Sequence, residues 1–203
     1  MKKLFALVAM VLAAGTMQAQ MAIGEFSVTP KAGLTLASLT SQDKSKINVG
    51  IVAGAEAEYQ VMDFLGVSAG LMYSQQGVSY DGPGTNKWNL NYLNIPILAN
   101  FYVYKDLALK VGIQPGFRLT ATEKTEKGNT KTETDIKDYV EGFDLSIPMG
   151  VSYEYRNFVL DARYNLGVTK ILKGSNQDPE RFRRSSRNSV FMITLGYRFN
   201  LNL

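Results

Sequence analysis

A period of two running through eight segments, connections that alternate between short and long, and an export-type N-terminus together predict an all-β fold. The predicted architecture is an eight-stranded antiparallel up-and-down transmembrane β-barrel preceded by a signal peptide. Composition agrees with a single sheet-rich domain: 203 residues, 20% charged and 11% aromatic, with 18 Gly and 11 Tyr.

Residues 1–19 read as the signal peptide, and residues 20–203 as the barrel domain. Lys2 and Lys3 form a positive start, Leu4 to Ala14 is unbroken apolar sequence, and Ala19 supplies the small residue at the cleavage point before Gln20. The apolar run is too short for a membrane-spanning helix, which needs about 20 residues. Loss of Lys2 and Lys3 lowers the formal net charge from +4 to +2, and so mild a charge predicts no nucleic-acid partner.

The strands follow in order. The first two, around Lys31 to Leu39 and Val49 to Gln60, are rich in small residues; in the second, Ile51, Ala53, Ala55, Ala57 and Tyr59 oppose Gly50, Gly54, Glu56, Glu58 and Gln60. The third sets Leu65, Val67, Ala69, Leu71 and Tyr73 against Gly66, Ser68, Gly70 and Ser74, and the fourth Leu93, Ile95, Ile97, Ala99 and Phe101 against Asn94, Pro96 and Asn100. In the fifth, Leu109, Val111, Ile113, Phe117 and Leu119 oppose Lys110, Gly112, Gln114, Gly116 and Arg118. The sixth opposes Leu145, Ile147, Met149, Val151, Tyr153 and Tyr155 to Asp144, Ser146, Pro148, Gly150, Ser152 and Glu154. The seventh and eighth are the most regular: Phe158, Leu160, Ala162, Tyr164, Leu166 and Val168 oppose Asp161, Arg163, Asn165, Gly167 and Thr169, and Phe191, Ile193, Leu195, Tyr197, Phe199 and Leu201 oppose Thr194, Gly196, Arg198 and Asn200.

Tight turns are predicted at Val61 to Phe64, Tyr104 to Asp106 and Arg156-Asn157. Long polar connections are predicted at Thr40 to Asn48, Gln76 to Trp88, Ala121 to Gly142 and Thr169 to Arg187. Loops sorted by length in this way belong to outer-membrane barrels, with short periplasmic turns and long extracellular loops. Alternation alone does not choose a face, because a soluble periplasmic ligand-binding barrel turns the same apolar stripe inward. The segment lengths favour the membrane, where a tilted strand needs about 9 to 11 residues. Aromatics near segment ends (Tyr73, Phe101, Tyr155, Phe158, Phe199) suit interfacial girdles. Against strands throughout stand Pro30, Pro96, Pro115 and Pro148, each of which removes a ladder hydrogen bond, although bulges can absorb them.

With the apolar faces outward, the polar faces line the lumen. They carry Lys31, Lys110, Arg118, Arg163 and Arg198 with Glu56, Glu58, Asp144, Glu154 and Asp161, a predicted charge network in a lumen just wide enough for side chains. The last strand offers an assembly signal in Thr194, Gly196, Phe199 and Leu201. Arg181, Arg183, Arg184 and Arg187 make a surface basic patch suited to the phosphates of lipopolysaccharide.

Catalytic and metal chemistry find little support. The chain has no Cys and no His, which excludes disulfides, thiolate nucleophiles, His-based triads and Cys or His metal sites. Glu133, Asp135, Asp138 and Glu141 lack the spacing and glycine of a calcium loop and, interleaved with lysines, read as a solvated face. No cofactor and no enzymatic activity are expected.

The residues resemble the small outer-membrane β-barrel proteins of the Bacteroidota, the porin-family or PorT-like type. Similar to that family are Gln18-Ala19-Gln20 closing the signal, Lys31-Ala32-Gly33-Leu34-Thr35-Leu36, Tyr92-Leu93-Asn94-Ile95-Pro96-Ile97, and Leu195-Gly196-Tyr197-Arg198-Phe199. The resemblance implies outer-membrane residence among lipid and lipopolysaccharide, insertion by the barrel-assembly machinery, and an Ile-Pro feature native to the fourth strand. The expected role is structural or surface-interacting without a large open pore. The alternatives are the soluble periplasmic barrel and a narrow transport- or secretion-associated component.

Overall fold

A computed structural model of the chain describes residues 22–39, 45–81, 85–127, 130–172 and 186–201. Its strands are β1 (Phe26–Leu39), β2 (Ser45–Met62), β3 (Leu65–Asp81), β4 (Thr85–Asn94), β5 (Ile97–Tyr104), β6 (Leu107–Lys127), β7 (Thr130–Asp135), β8 (Phe143–Tyr155), β9 (Phe158–Gly167), β10 (Asn188–Tyr197) and β11 (Phe199–Leu201). A single 3-10 turn, Lys137–Tyr139, follows β7.

These strands are eight barrel staves and one accessory strand. β4 and β5 share one register on both sides: Asn94 and Ile97 face Met72 and Ala69 on β3, and Gly116 and Ile113 on β6. β10 and β11 likewise continue one another along β1, from Lys31↔Gly196 to Val28↔Phe199. All pairings are antiparallel, and β1 pairing with β10 closes the ring, so the eight staves leave no free edge. β7 pairs with β6 beyond the ring.

The prolines account for the break within the fourth stave. The Pro96 carbonyl accepts from the Gly70 N–H at 3.0 Å, and the Ile95 N–H reaches the Pro115 carbonyl at 2.8 Å. The return bond of each pair would need a proline N–H, so two rungs are missing side by side, at Ile95-Pro96. At the turns, Lys105 and Arg156 take positive φ of 27° and 58°, as tight reversals demand.

Apolar side chains cover the outside of the barrel. Leu34 and Leu160 are 54% and 51% exposed, whereas Lys31 and Arg163 are 6% and 4% exposed. This is the reverse of a soluble barrel. Near the turns the outward face is aromatic, with Phe158 edge-on to Tyr197 at 5.2 Å and Tyr197 against Phe199 at 4.9 Å. Phe117 and Phe143 pair at 5.7 Å toward the other end.

At that far end the rule inverts. On β4, Leu93 faces outward, but Trp88, Leu90 and Tyr92 face inward and are fully buried. On β6 a one-residue bulge does the switching: Arg118 pairs with Tyr92 and Thr120 with Asn91, leaving Leu119 extra. Below it Lys110 and Gln114 point inward; above it Ala121 and Glu123 do. One added residue moves every later side chain to the other face. The inward apolar residues of this extension form a second core of Val78, Trp88, Leu90, Tyr92, Ala121, Ile136, Val140, Ile171 and Leu172, with Tyr139 packed against it.

This corrects two of the predicted polar connections. Gln76 to Trp88 is mostly the hairpin of β3 and β4, with residues 82–84 outside the described residues. Ala121 to Gly142 is the outer part of β6, then β7 and the 3-10 turn. Both runs look polar because half of each faces water, while their few apolar residues are concentrated on the inner face. Two other connections change only at an end: β2 already begins at Ser45, and Ile171 and Leu172 belong to the second core.

Candidate functional site: the lumen and the extended wall

Strand alternation aims the polar residues of adjacent staves into one narrow space. Two groups of charges result.

The central group joins Lys31 on β1, Glu56 on β2, Lys110 on β6, and Asp161 and Arg163 on β9. Lys31 Nζ donates to Glu56 Oε2 at 2.7 Å and stands 3.6 Å from Asp161 Oδ2. Lys110 Nζ donates to Asp161 Oδ2 at 2.9 Å, and a single guanidinium nitrogen of Arg163 reaches Glu56 at 2.8 Å and Asp161 at 3.0 Å. Three cations thus enclose two carboxylates, all of them buried.

The second group lies nearer the turns. Arg198 donates to Glu58 at 3.1 Å and lies 3.2 Å from Glu154, and the Tyr102 hydroxyl donates to Glu58 at 2.6 Å. Here two carboxylates hold one cation. Taken together, four cations face four anions, so the two groups balance each other. Burial of each ion costs several kcal/mol, which only such direct partners offset.

Eight of the ten residues predicted for the lumen therefore meet in these groups. The other two stand apart toward the second core. Asp144 accepts from the Thr169 hydroxyl and from Asn188, both at 2.7 Å. Arg118, displaced by the bulge beside it, is half-buried and donates from Nε to the Glu141 carbonyl at 3.1 Å. Tyr102 is a lumen residue outside the predicted ten; it shares the even parity of Asn94 and Asn100, which marks it as inward.

Little space remains between these side chains. The cavity bounded by Lys31, Glu56, Asp161, Arg163, Met72 and Met192 measures about 10 Å³, room for about one water. Ala37, Val52, Met72, Val190 and Met192 add a buried apolar layer beside the charges, and the second core stands beyond. Of the assembly-signal residues, Thr194 is buried in the lumen while Phe199 and Leu201 face outward. Arg187 is exposed, and Arg181, Arg183 and Arg184 lie outside the described residues.

A closed ring of antiparallel strands with an outward apolar band and inward ion pairs is an integral membrane β-barrel. Residues 18–173 match the family described as outer membrane protein beta-barrel domain. The chain belongs to that family, and its place is the outer membrane. Among solved structures it is similar to Neisserial surface protein A (NspA), at TM-score 0.51 and 15% identity, over 86% of this chain and 97% of that one. It is also similar to Ail, the attachment invasion locus protein of Yersinia pestis, in complex with the heparin analogue sucrose octasulfate. That match has TM-score 0.50 and 16% identity, over 88% of this chain and 100% of that one. At these identities the likeness is one of fold. No curated protein matches the sequence.

Proposed function

We propose that this protein is a non-conducting outer-membrane barrel of the porin-family or PorT-like type, with a structural and surface-interacting role and no catalytic activity. The observation that carries the reading is the packing around the central charges: balanced ion pairs, a cavity of about 10 Å³ between them and an apolar core beyond. The turn end is periplasmic and the extended wall extracellular, following the usual placement of short turns and long loops. The signal peptide is removed after Ala19, and the strand carrying Thr194, Gly196, Phe199 and Leu201 is read by the barrel-assembly machinery. The patch of Arg181, Arg183, Arg184 and Arg187 meets lipopolysaccharide phosphates at the surface.

Reconstitution in planar bilayers tests the reading. Protein that shifts on gels when heated, as folded barrels do, should show no large stable conductance. Steady openings on the scale of a general porin would defeat it and favour the transport alternative. The soluble-barrel alternative has the outward apolar band against it; release with soluble periplasmic contents, without detergent, would restore it.

A further inference from the structure

The ring closes where β1 meets the last stave, and near the turn end that seam is interrupted. Lys31↔Gly196 and Val28↔Phe199 belong to one register, so Pro30 stands opposite Tyr197 and Thr29 opposite Arg198. The Arg198 N–H donates to the Asn157 carbonyl at 2.7 Å, and the Asn157 side-chain amide donates to the Arg198 carbonyl at 3.0 Å. The Arg198 backbone therefore faces the β8–β9 turn, and strand alternation turns the backbone of Tyr197 and Phe199 toward β1. The Tyr197 carbonyl needs an N–H from residue 30, and Pro30 has none. Past this gap β11 pairs with β1 alone, over the three pairs from Val28↔Phe199 to Phe26↔Leu201. The β1–β2 ladder, by contrast, runs unbroken from Phe26↔Tyr59 to Ala37↔Asn48.

On the outside, side chains do little to bridge the gap. A groove of about 440 Å³ lies over it, with Pro30, Ala32, Ala53, Leu195, Gly196 and Tyr197 in its lining. On the inside the gap is crossed by one buried side chain, that of Arg198. Its guanidinium donates to Glu58 of β2 at 3.1 Å and to the Tyr102 hydroxyl of β5 at 3.2 Å, and its Nε lies 3.2 Å from Glu154 of β8. None of these three strands is a ladder neighbour of the last stave, which pairs with β9 and β1. Arg198 therefore ties the end of the chain to the barrel through the lumen, by charge-assisted bonds roughly twice as strong as neutral ones.

We infer that Arg198 is the latch of the closing seam: a positioning residue that holds the last stave in place where the backbone ladder is interrupted. Its release lets β1 part from β10 and β11 while the other ladders stay shut. Pro30 and Arg198 form one device, the proline breaking the seam and the arginine closing it from within. A short, interrupted ladder opens locally at a free energy below that of global unfolding, so the latch sets how often the seam opens.

Hydrogen–deuterium exchange of the folded barrel in lipid nanodiscs tests the inference, with the β1, β10 and β11 amides read against those of the β2–β3 ladder. Arg198→Gln should speed exchange along the seam at least about tenfold relative to β2–β3. Arg198→Lys, which keeps the charge but not the fork of donors, should fall between. Pro30→Ala returns an N–H to the seam; it should slow exchange there in the otherwise unchanged chain and undo most of the Arg198→Gln effect. The protein has no cysteine, and Ala32 lies directly opposite Leu195. An oxidised Ala32→Cys/Leu195→Cys pair should therefore bridge the seam and abolish the acceleration caused by Arg198→Gln. Acceleration spread evenly over both ladders would make Arg198 a general stabiliser and overturn the inference, as would unchanged exchange in Arg198→Gln. If Arg198→Gln does not fold, Pro30→Ala alone decides: no slowing at the seam would overturn the inference.

Discussion

Asp161→Asn is the sharpest perturbation of the lumen. The Asp161 carboxylate accepts from Lys110 at 2.9 Å and Arg163 at 3.0 Å, with Lys31 at 3.6 Å. Its neutralisation leaves those three cations facing Glu56 alone, with almost no room for water to replace the lost charge. Breaking a buried pair from one side costs about 3 to 5 kcal/mol. Adding Lys110→Met to Asp161→Asn removes one surplus cation and returns the central group to its original net charge. The double variant should therefore be less destabilised than the sum of the two single ones, with a coupling of about 0.5 to 3 kcal/mol. Folded fraction is read on unheated gels after equilibration in urea with lipid vesicles. A cost below about 1 kcal/mol for Asp161→Asn, together with strict additivity in the pair, would mean that each charge is hydrated independently. A water-filled lumen would follow, and the non-conducting reading would fall with it.

The same urea series tests the outer face: Leu160→Arg and Ile147→Arg should each cost about 2 to 4 kcal/mol if their sites lie near the bilayer midplane, whereas tolerance of both would mean that the apolar face is not in lipid. Trp88→Ala should cost about 3 to 5 kcal/mol within the second core. With the orientation proposed above, it should make the extended wall sensitive to protease on whole cells while the barrel keeps its heat-dependent gel shift; loss of that shift would show the two cores to be one cooperative unit. Outside the membrane, the Lys137 N–H donates to Asp135 at 2.9 Å, and this bond holds its carboxyl below the usual aspartate range. Because the folded value is depressed, the turn's stabilisation is present at neutral pH and lost as pH falls through that value; an Asp135 midpoint by NMR at or above about 3.9, the ordinary aspartate value, would contradict it.

The sequence was most legible where one stripe serves one environment. On β9 and β10 the outward residues are apolar at every second position from Phe158 to Leu166 and from Phe191 to Tyr197, and the outward and inward faces follow that parity in the structure, with Val159, Val190 and Met192 the apolar residues that face inward. The charges were legible as a set because strand parity places them on one face. Their division into two groups was not, because it depends on register between staves: Arg163 and Glu56 are 107 residues apart in the chain. The extended wall was obscured for a different reason. Alternation has a phase as well as a period, and at Tyr92-Leu93 and Leu119 the phase reverses, so a reading that expects one phase sees the outer half as polar loop. Extending the lower phase to Arg118 places it in the lumen, at the very residue where that phase fails.

The phase reversal also bears on how the outer wall can change in length. Above the switch, outward polar and inward apolar residues repeat in pairs, so inserting or deleting two residues in both arms of the β3–β4 hairpin preserves the second core and the polar exterior. A change of one residue would drive Trp88 and Leu90 into water and Lys87 and Asn89 into the core. The wall can therefore be lengthened or trimmed in two-residue steps without disturbing the membrane barrel beneath it. Surface reach and membrane anchoring are, in that sense, separately adjustable within a single strand.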